Sequence, residues 1–185
     1  MKILLFNPFK YVAGLKALLI GLIAMLITAV VAFFSKTHFD GVIDTHTGLK
    51  APFCVYLLDQ LNAWGCAVLL FYIAARIFSK SAIRFIDFAG TLALARWPMI
   101  FTAIISFGVN VSKPIVTASD ISISMIVIAF VSIIFSIWMI ALSYNAFRIS
   151  SNLKKETAIG AFIGAIILAE ILSHFFSYEI YKHLI

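Results

Sequence analysis

Three ionisable residues lie inside long apolar stretches of the sequence: Asp59, Arg96 and Glu170. A charge at the middle of a bilayer costs about 2.5–3.5 kcal/mol on insertion scales, so such residues are usually paired or functional. Counted along their predicted helices, Asp59 and Glu170 lie at similar depths, and the long Arg96 side chain spans much of the remaining difference. We therefore predict an intramembrane charge cluster in which Arg96 forms a salt bridge with one of the two acids.

Three other residues are predicted to affect the polarity or the helix geometry around this cluster. Asn62 shares a helical face with Asp59, and His174 lies one turn after Glu170. Pro98 has no backbone N–H and is expected to kink its helix. Asn62 and His174 are therefore predicted as supporting polar residues, and Pro98 as a kink.

Two interpretations of the charge cluster remain open. In the first, which we favour, a buried ion pair fixes the register of the helices. In the second, the two acids exchange protons and the arginine sets their pKa values, as in an ion or proton relay. The sequence has neither an internal repeat nor two broken helices, which are the usual marks of a transporter.

The first polar loop carries residues that could bind a divalent metal. His38 and Asp40 are spaced like Asp44 and His46, and both pairs combine imidazole with carboxylate. Nothing in the sequence fixes the geometry of these ligands, so we predict a solvated loop with no metal and no cofactor. His-Glu-x-x-His, Gly-x-Ser-x-Gly and Walker motifs are absent, which favours a protein that is not an enzyme.

The composition is that of a membrane protein. Of 185 residues, 63% are hydrophobic and 12% charged, and the mean hydropathy is +1.09. Soluble domains have about 25% charged residues, so an ordinary soluble enzyme, a disordered tail and a nucleic-acid-binding module are all excluded. The lipid bilayer is thus the first predicted partner. The net charge of +6 is explained by basic loops at a membrane surface.

Five apolar stretches are long enough to cross a bilayer, which takes about 20 residues each. They cover about residues 17–35, 53–78, 88–109, 121–147 and 157–178. Polar loops cover residues 36–52 and 110–120, and a short tail covers 179–185. Asn7-Pro8 predicts a short interfacial helix ahead of the first span. The predicted fold is all-α: a single transmembrane domain over residues 1–185, built as a bundle of five helices.

The distribution of basic residues predicts the orientation. Nine Lys and Arg residues precede the first span or lie in the second and fourth connections, and four lie on the other side. The positive-inside rule then places the N-terminus in the cytoplasm and the C-terminus outside. We predict a multi-pass protein of a bacterial cytoplasmic membrane.

Small residues in the last span predict close helix packing. Gly160 and Gly164 form a small-xxx-small pair of the kind that lets two helices approach closely in lipid. Such a stripe favours a compact bundle. It also makes a second copy of the chain, or another membrane protein, a candidate partner.

Three sequence features resemble the Yip family of five-span membrane proteins (Ypt/Rab-interacting proteins), especially its short bacterial members. They are Asn7-Pro8 before the first span, Gly90-Thr91-Leu92-Ala93 followed by Pro98, and the turn over residues 150–158. The resemblance covers nearly the whole chain and depends mainly on topology. It implies a five-helix membrane fold and a non-enzymatic role as a scaffold or adaptor. The alternative is a small ion- or proton-coupled transporter or channel that uses Asp59, Arg96 and Glu170.

Overall fold

The structure, a computed structural model, describes residues 5–109 and 121–184. The main helices are α1 (Gly14–Ser35), α2 (Phe53–Phe78), α3 (Phe85–Ala95), α4 (Met99–Ile105), α5 (Ile123–Ser151) and α6 (Lys155–Leu184). Short 3₁₀ turns cover Pro8–Lys10 and Ser106–Gly108, and the strands β1 (Thr37–His38) and β2 (His46–Thr47) pair antiparallel. The predicted loop over residues 110–120 lies outside the described residues.

The prediction of an all-α polytopic bundle is confirmed. Among the described residues, five helices are long and apolar enough to cross a membrane, with α3 and α4 together forming the third. Their ends differ from the predicted spans by a few residues, with one larger correction at the C-terminus. Residues 179–184 continue α6 instead of forming a tail. Hydropathy did not predict that the helix continues over this last turn and a half, because polar contacts, described below, stabilise it.

The third span is interrupted where Arg96, Trp97 and Pro98 form a turn between α3 and α4. Pro98 cannot donate a backbone hydrogen bond to Leu94. The Trp97 N–H bonds the Leu94 carbonyl instead, at 3.3 Å. The turn places Arg96 directly after α3, as its C-cap residue, in the interior of the bundle.

Glycines bring α1 and α3 into close contact. A Cβ added to Gly21 would lie 2.5 Å from the backbone of Ala93, and one added to Gly90 would collide with the Gly14 carbonyl. By contrast, nothing lies within 4 Å of a Cβ added to Gly160 or Gly164. This pair therefore faces outward, and the close helix contact inside the bundle is made by glycines on two other helices.

The loop between α1 and α2 packs onto the bundle instead of extending into solvent. We call residues 36–52 the hairpin loop, since β1 and β2 pair within it, and the adjacent end of the bundle the hairpin end. Phe39 and Val42 are buried with the helices, and His38 is buried as well. The expectation of a solvated loop is thus wrong for much of this segment. Two-residue strands carry too little periodicity for a sequence to reveal them.

Candidate functional site at the hairpin end

The hairpin loop covers a buried polar network whose centre is Asp59. This carboxylate on α2 is 0% exposed. Its oxygens lie 3.2 Å from Nδ1 of His38 and 3.1 Å and 3.2 Å from the hydroxyl of Tyr181 on α6. The His38 ring also stacks on Tyr56, with centroids 4.6 Å apart. Asp59 therefore joins α2, α6 and the hairpin loop at one point.

His38 links the hairpin loop to Asp59 through contacts of both ring nitrogens. Nε2 of His38 lies 3.2 Å from the Leu49 carbonyl, which can only accept, so Nε2 carries a hydrogen. Nδ1 faces a carboxylate oxygen, and two bare acceptors would repel each other there. The Tyr181 hydroxyl donates to Asp59 and lies 3.5 Å from Nδ1 of His38, so it contacts both groups.

Arg96 is buried, at 4% exposure, and is held by neutral acceptors. Its Nη1 donates to the Val42 carbonyl at 3.0 Å, and Nε and Nη2 lie 3.4 Å and 3.5 Å from Oε1 of Gln60. Within the described residues, neither Asp59 nor Glu170 forms an ion pair with it. The predicted salt bridge is therefore wrong, because the hairpin loop brings a backbone carbonyl to the guanidinium.

Glu170 on α6 binds the hairpin loop directly. Its Oε2 accepts the Ile43 N–H at 2.9 Å, and Oε1 lies 3.3 Å from Nε2 of His174. Gly41 packs against this carboxylate so closely that an added Cβ would collide with Oε1. The three predicted charges therefore lie in one region and face the same loop, but each has its own partners.

Asn62 connects α2 to α6. Its Nδ2 donates to the Ser173 carbonyl at 2.8 Å and to Oγ of Ser177 at 2.9 Å. The Ser177 hydroxyl in turn donates to the Asp40 carbonyl at 2.7 Å. The sequence predicted Asn62 as a polar neighbour of Asp59 and placed Ser177 on the polar face of Glu170, whereas Tyr181 gave no signal of its own.

The four loop residues considered as metal ligands separate into two groups. His38 joins Asp59 in the buried network, while Asp40 and Asp44 lie beside His174 of α6. One ligand atom each of Asp40, Asp44 and His174 lies within 4.8 Å of the others. The paired spacing in the sequence therefore did not predict the actual neighbours, because His174 comes from a distant part of the chain.

Asp40 and His46 form an ion pair at the surface of this group. Nδ1 of His46 lies 3.1 Å from Oδ1 of Asp40. Partial burial raises the pKa of Asp40, but the hydrogen bond and charge of His46 outweigh it, and the pKa of the carboxyl falls below its ordinary value. The same hydrogen bond raises the pKa of His46 above its ordinary value. Both shifts favour the charged pair.

In the part of the chain that the structure describes, cavities adjoin the helices at two places. One, of about 540 Å³, lies between the hairpin loop and α5, and Asp59, Arg96 and Glu170 are not among its lining residues. The other, of about 340 Å³, lies at the opposite end of the bundle. It is lined by polar and basic residues that include Lys10 and Arg148.

Comparisons with known proteins add no relative. No family model, no curated protein and no solved structure matches the chain.

Proposed function

We propose that this chain is a non-enzymatic scaffold or adaptor of a bacterial cytoplasmic membrane, the role that the Yip resemblance implies. One observation supports this most strongly. The intramembrane charges bind the hairpin loop to the helices, through the contacts of Asp59 with His38, of Arg96 with Val42 and of Glu170 with Ile43. Charges used in this way make the bundle rigid, as a scaffold requires.

The outward face of α6 is a candidate binding surface for a partner helix. Gly160 and Gly164 have open space in front of them and would accept a close helix from a second copy or from another membrane protein. In the proposed orientation, the N-terminus is cytoplasmic and the hairpin end faces outward. Nucleic acid is not a proposed partner.

A proton-coupled transporter or channel is the alternative, and one specific observation favours it. Titratable side chains connect buried Asp59 to the surface in short steps. His38 stacks on His46 with centroids 5.3 Å apart, and His46 bonds Asp40. His174 lies 3.9 Å from Asp40 and 3.3 Å from Glu170. Such a series could carry protons between the hairpin end and Asp59.

Proton flux into proteoliposomes under an imposed gradient separates the two proposals. The scaffold proposal expects no flux from the wild type or from Glu170→Gln. It also expects Glu170→Gln to unfold more easily, by about 1 kcal/mol, because the Ile43 N–H loses a charged acceptor. Glu179→Gln, on the same helix but with a side chain that is 41% exposed, is the matched control and should melt like the wild type. Wild-type flux that disappears in Glu170→Gln would establish the transporter instead.

Cysteine crosslinking tests the partner helix. In a Cys54→Ser/Cys66→Ser background, Gly164→Cys should form a disulfide with a second copy or be captured on a membrane protein in native membranes. Ile134→Cys, which is exposed on α5, is the control and should crosslink far less. Equal crosslinking at both positions would count against a specific scaffold face on α6.

A further inference from the structure

A second polar cluster lies beside the buried network, at the surface of the hairpin end. Its centre is the imidazole of His174. Nε2 of this ring lies 3.3 Å from Oε1 of Glu170 and 3.8 Å from Oδ2 of Asp44. Nδ1 lies 3.9 Å from Oδ2 of Asp40. Three carboxylates thus surround one imidazole.

This arrangement leaves negative charge uncompensated. Within the described residues, the ion pairs of Asp40, Asp44 and Glu170 join them only to His46 and His174, so three carboxylates face two imidazoles. Asp40 and Glu170 are mostly buried, with side-chain exposures of 15% and 17%. Carboxylates grouped this closely repel one another, and a bound cation would relieve that repulsion.

The distances suit a metal better than direct hydrogen bonds. Separations of 3.8 Å and 3.9 Å are too long for a hydrogen bond. Two ligand atoms that are each about 2.1 Å from a tetrahedral metal lie about 3.4 Å apart. One ligand atom each of Asp40, Asp44 and His174 lies within 4.8 Å of the others, so side-chain rotations would bring the three to that spacing. Asp44 and His174 are about half exposed and provide an entry route.

The neighbouring residues already orient two of these ligands. Glu170, fixed by the Ile43 N–H, faces Nε2 of His174, which leaves Nδ1 available on the side of Asp40. A carboxylate that accepts from the second nitrogen of a ligating histidine is the usual outer partner in metal sites. Asp40 is fixed through its own carbonyl by Ser177 and through Oδ1 by His46, while Oδ2 faces His174.

We propose that Asp40, Asp44 and His174 bind a divalent transition-metal ion, with Glu170 orienting the histidine. Mixed imidazole and carboxylate ligands favour Zn²⁺ or Mn²⁺ over Mg²⁺ and Ca²⁺, which prefer oxygen ligands alone. Two ligands come from the hairpin loop and one from α6. The metal therefore fastens the loop to the last helix, independently of whether the chain is a scaffold or a transporter.

Titration calorimetry on the full chain, purified in detergent and stripped with a chelator, tests this proposal with Zn²⁺, Mn²⁺ and Mg²⁺. We expect one Zn²⁺ per chain and a higher melting temperature in its presence. Asp44→Asn keeps the shape of an exposed side chain and should bind Zn²⁺ at least about tenfold more weakly. Glu170→Gln should weaken binding by about 10–100-fold.

His183→Ala is the matched control. His183 lies on the same helix and faces Glu179 four residues earlier, at 3.7 Å, just as His174 faces Glu170. It should bind Zn²⁺ like the wild type, whereas His174→Ala should lose the site. Melting temperatures without metal identify any variant that fails to fold. Asp44→Asn changes an exposed side chain, so we expect it to fold and to report on metal binding alone. No saturable Zn²⁺ binding to the wild type, or equal affinity in Asp44→Asn and the wild type, would overturn the proposal.

Discussion

At the scale of single residues, the burial of Arg96 shows how a membrane protein accommodates a charge without an opposite charge in contact. The guanidinium spreads its charge over several N–H donors, which are directed at the Val42 carbonyl and the Gln60 amide oxygen. Each of these acceptors would be costly to bury without a partner. The arginine therefore needs these acceptors for its buried N–H groups, and the acceptors need the arginine as their hydrogen-bond donor.

Replacing Arg96 with methionine should destabilise the protein. The variant preserves bulk but leaves two buried acceptors unpaired, at about 1–3 kcal/mol each. Thermal unfolding in detergent measures the loss. Arg84→Met is the control, since Arg84 is exposed and its ion pair within the described residues is with Asp87, and its melting temperature should stay near that of the wild type. Similar melting of the two variants would contradict the role assigned to Arg96.

Gly41 provides a second test at the scale of a residue. An added Cβ would collide with the Glu170 carboxylate and lie 2.9 Å from Cβ of Asp44, so Gly41→Ala should push the hairpin loop away from α6. We expect a loss of about 1–3 kcal/mol. Gly48→Ala, in the same loop, meets its nearest neighbour at 3.4 Å and should be tolerated. In a Glu170→Ala background the cost of Gly41→Ala should shrink, and an unchanged cost would contradict the proposed contact.

At the scale of helices and strands, glycine position decides which helices can touch. The contact between α1 and α3 depends on Gly21 and Gly90, one on each helix. Gly90→Leu should therefore lower stability by about 1–3 kcal/mol or more, as unfolding in detergent would show. Gly164→Leu, whose new side chain meets open space, is the matched control and should fold normally. A normal melting temperature for Gly90→Leu would exclude the close helix contact.

The limits of sequence prediction follow from the same elements. The helices could be predicted because their apolar length is a local property, and Pro98 marks the break in the third span through its missing N–H. The contact between the Gly21 and Gly90 regions could not be predicted, because the two glycines lie on different helices and do not form a motif within a single helix. The site was predicted in part: Asp59, Arg96 and Glu170 stood out by charge, but their partners His38, Val42 and Ile43 depend on how the hairpin loop folds.

At the scale of the whole molecule, the two native cysteines report orientation. Cys54 is exposed at the hairpin end, and Cys66 is buried. In intact cells, a membrane-impermeant maleimide should label Cys54 if the hairpin end faces outward, and should leave Cys66 unlabelled. Lys80→Cys, in a background without the native cysteines, lies at the opposite end and should label only after the cells are opened. The reverse pattern would invert the proposed topology.

The connection between the hairpin loop and α6 also constrains biosynthesis. Asp59 bonds Tyr181, 122 residues later, and Ile43 bonds Glu170, 127 residues later. The ribosome therefore delivers the hairpin loop long before the helix that completes its contacts. Until α6 is synthesised, the polar groups of this loop that α6 later binds remain without those partners and are solvated by water or covered by an insertion chaperone. A chain that stops before α6 would expose an unfinished end, which a membrane protease could recognise as a sign of incomplete synthesis.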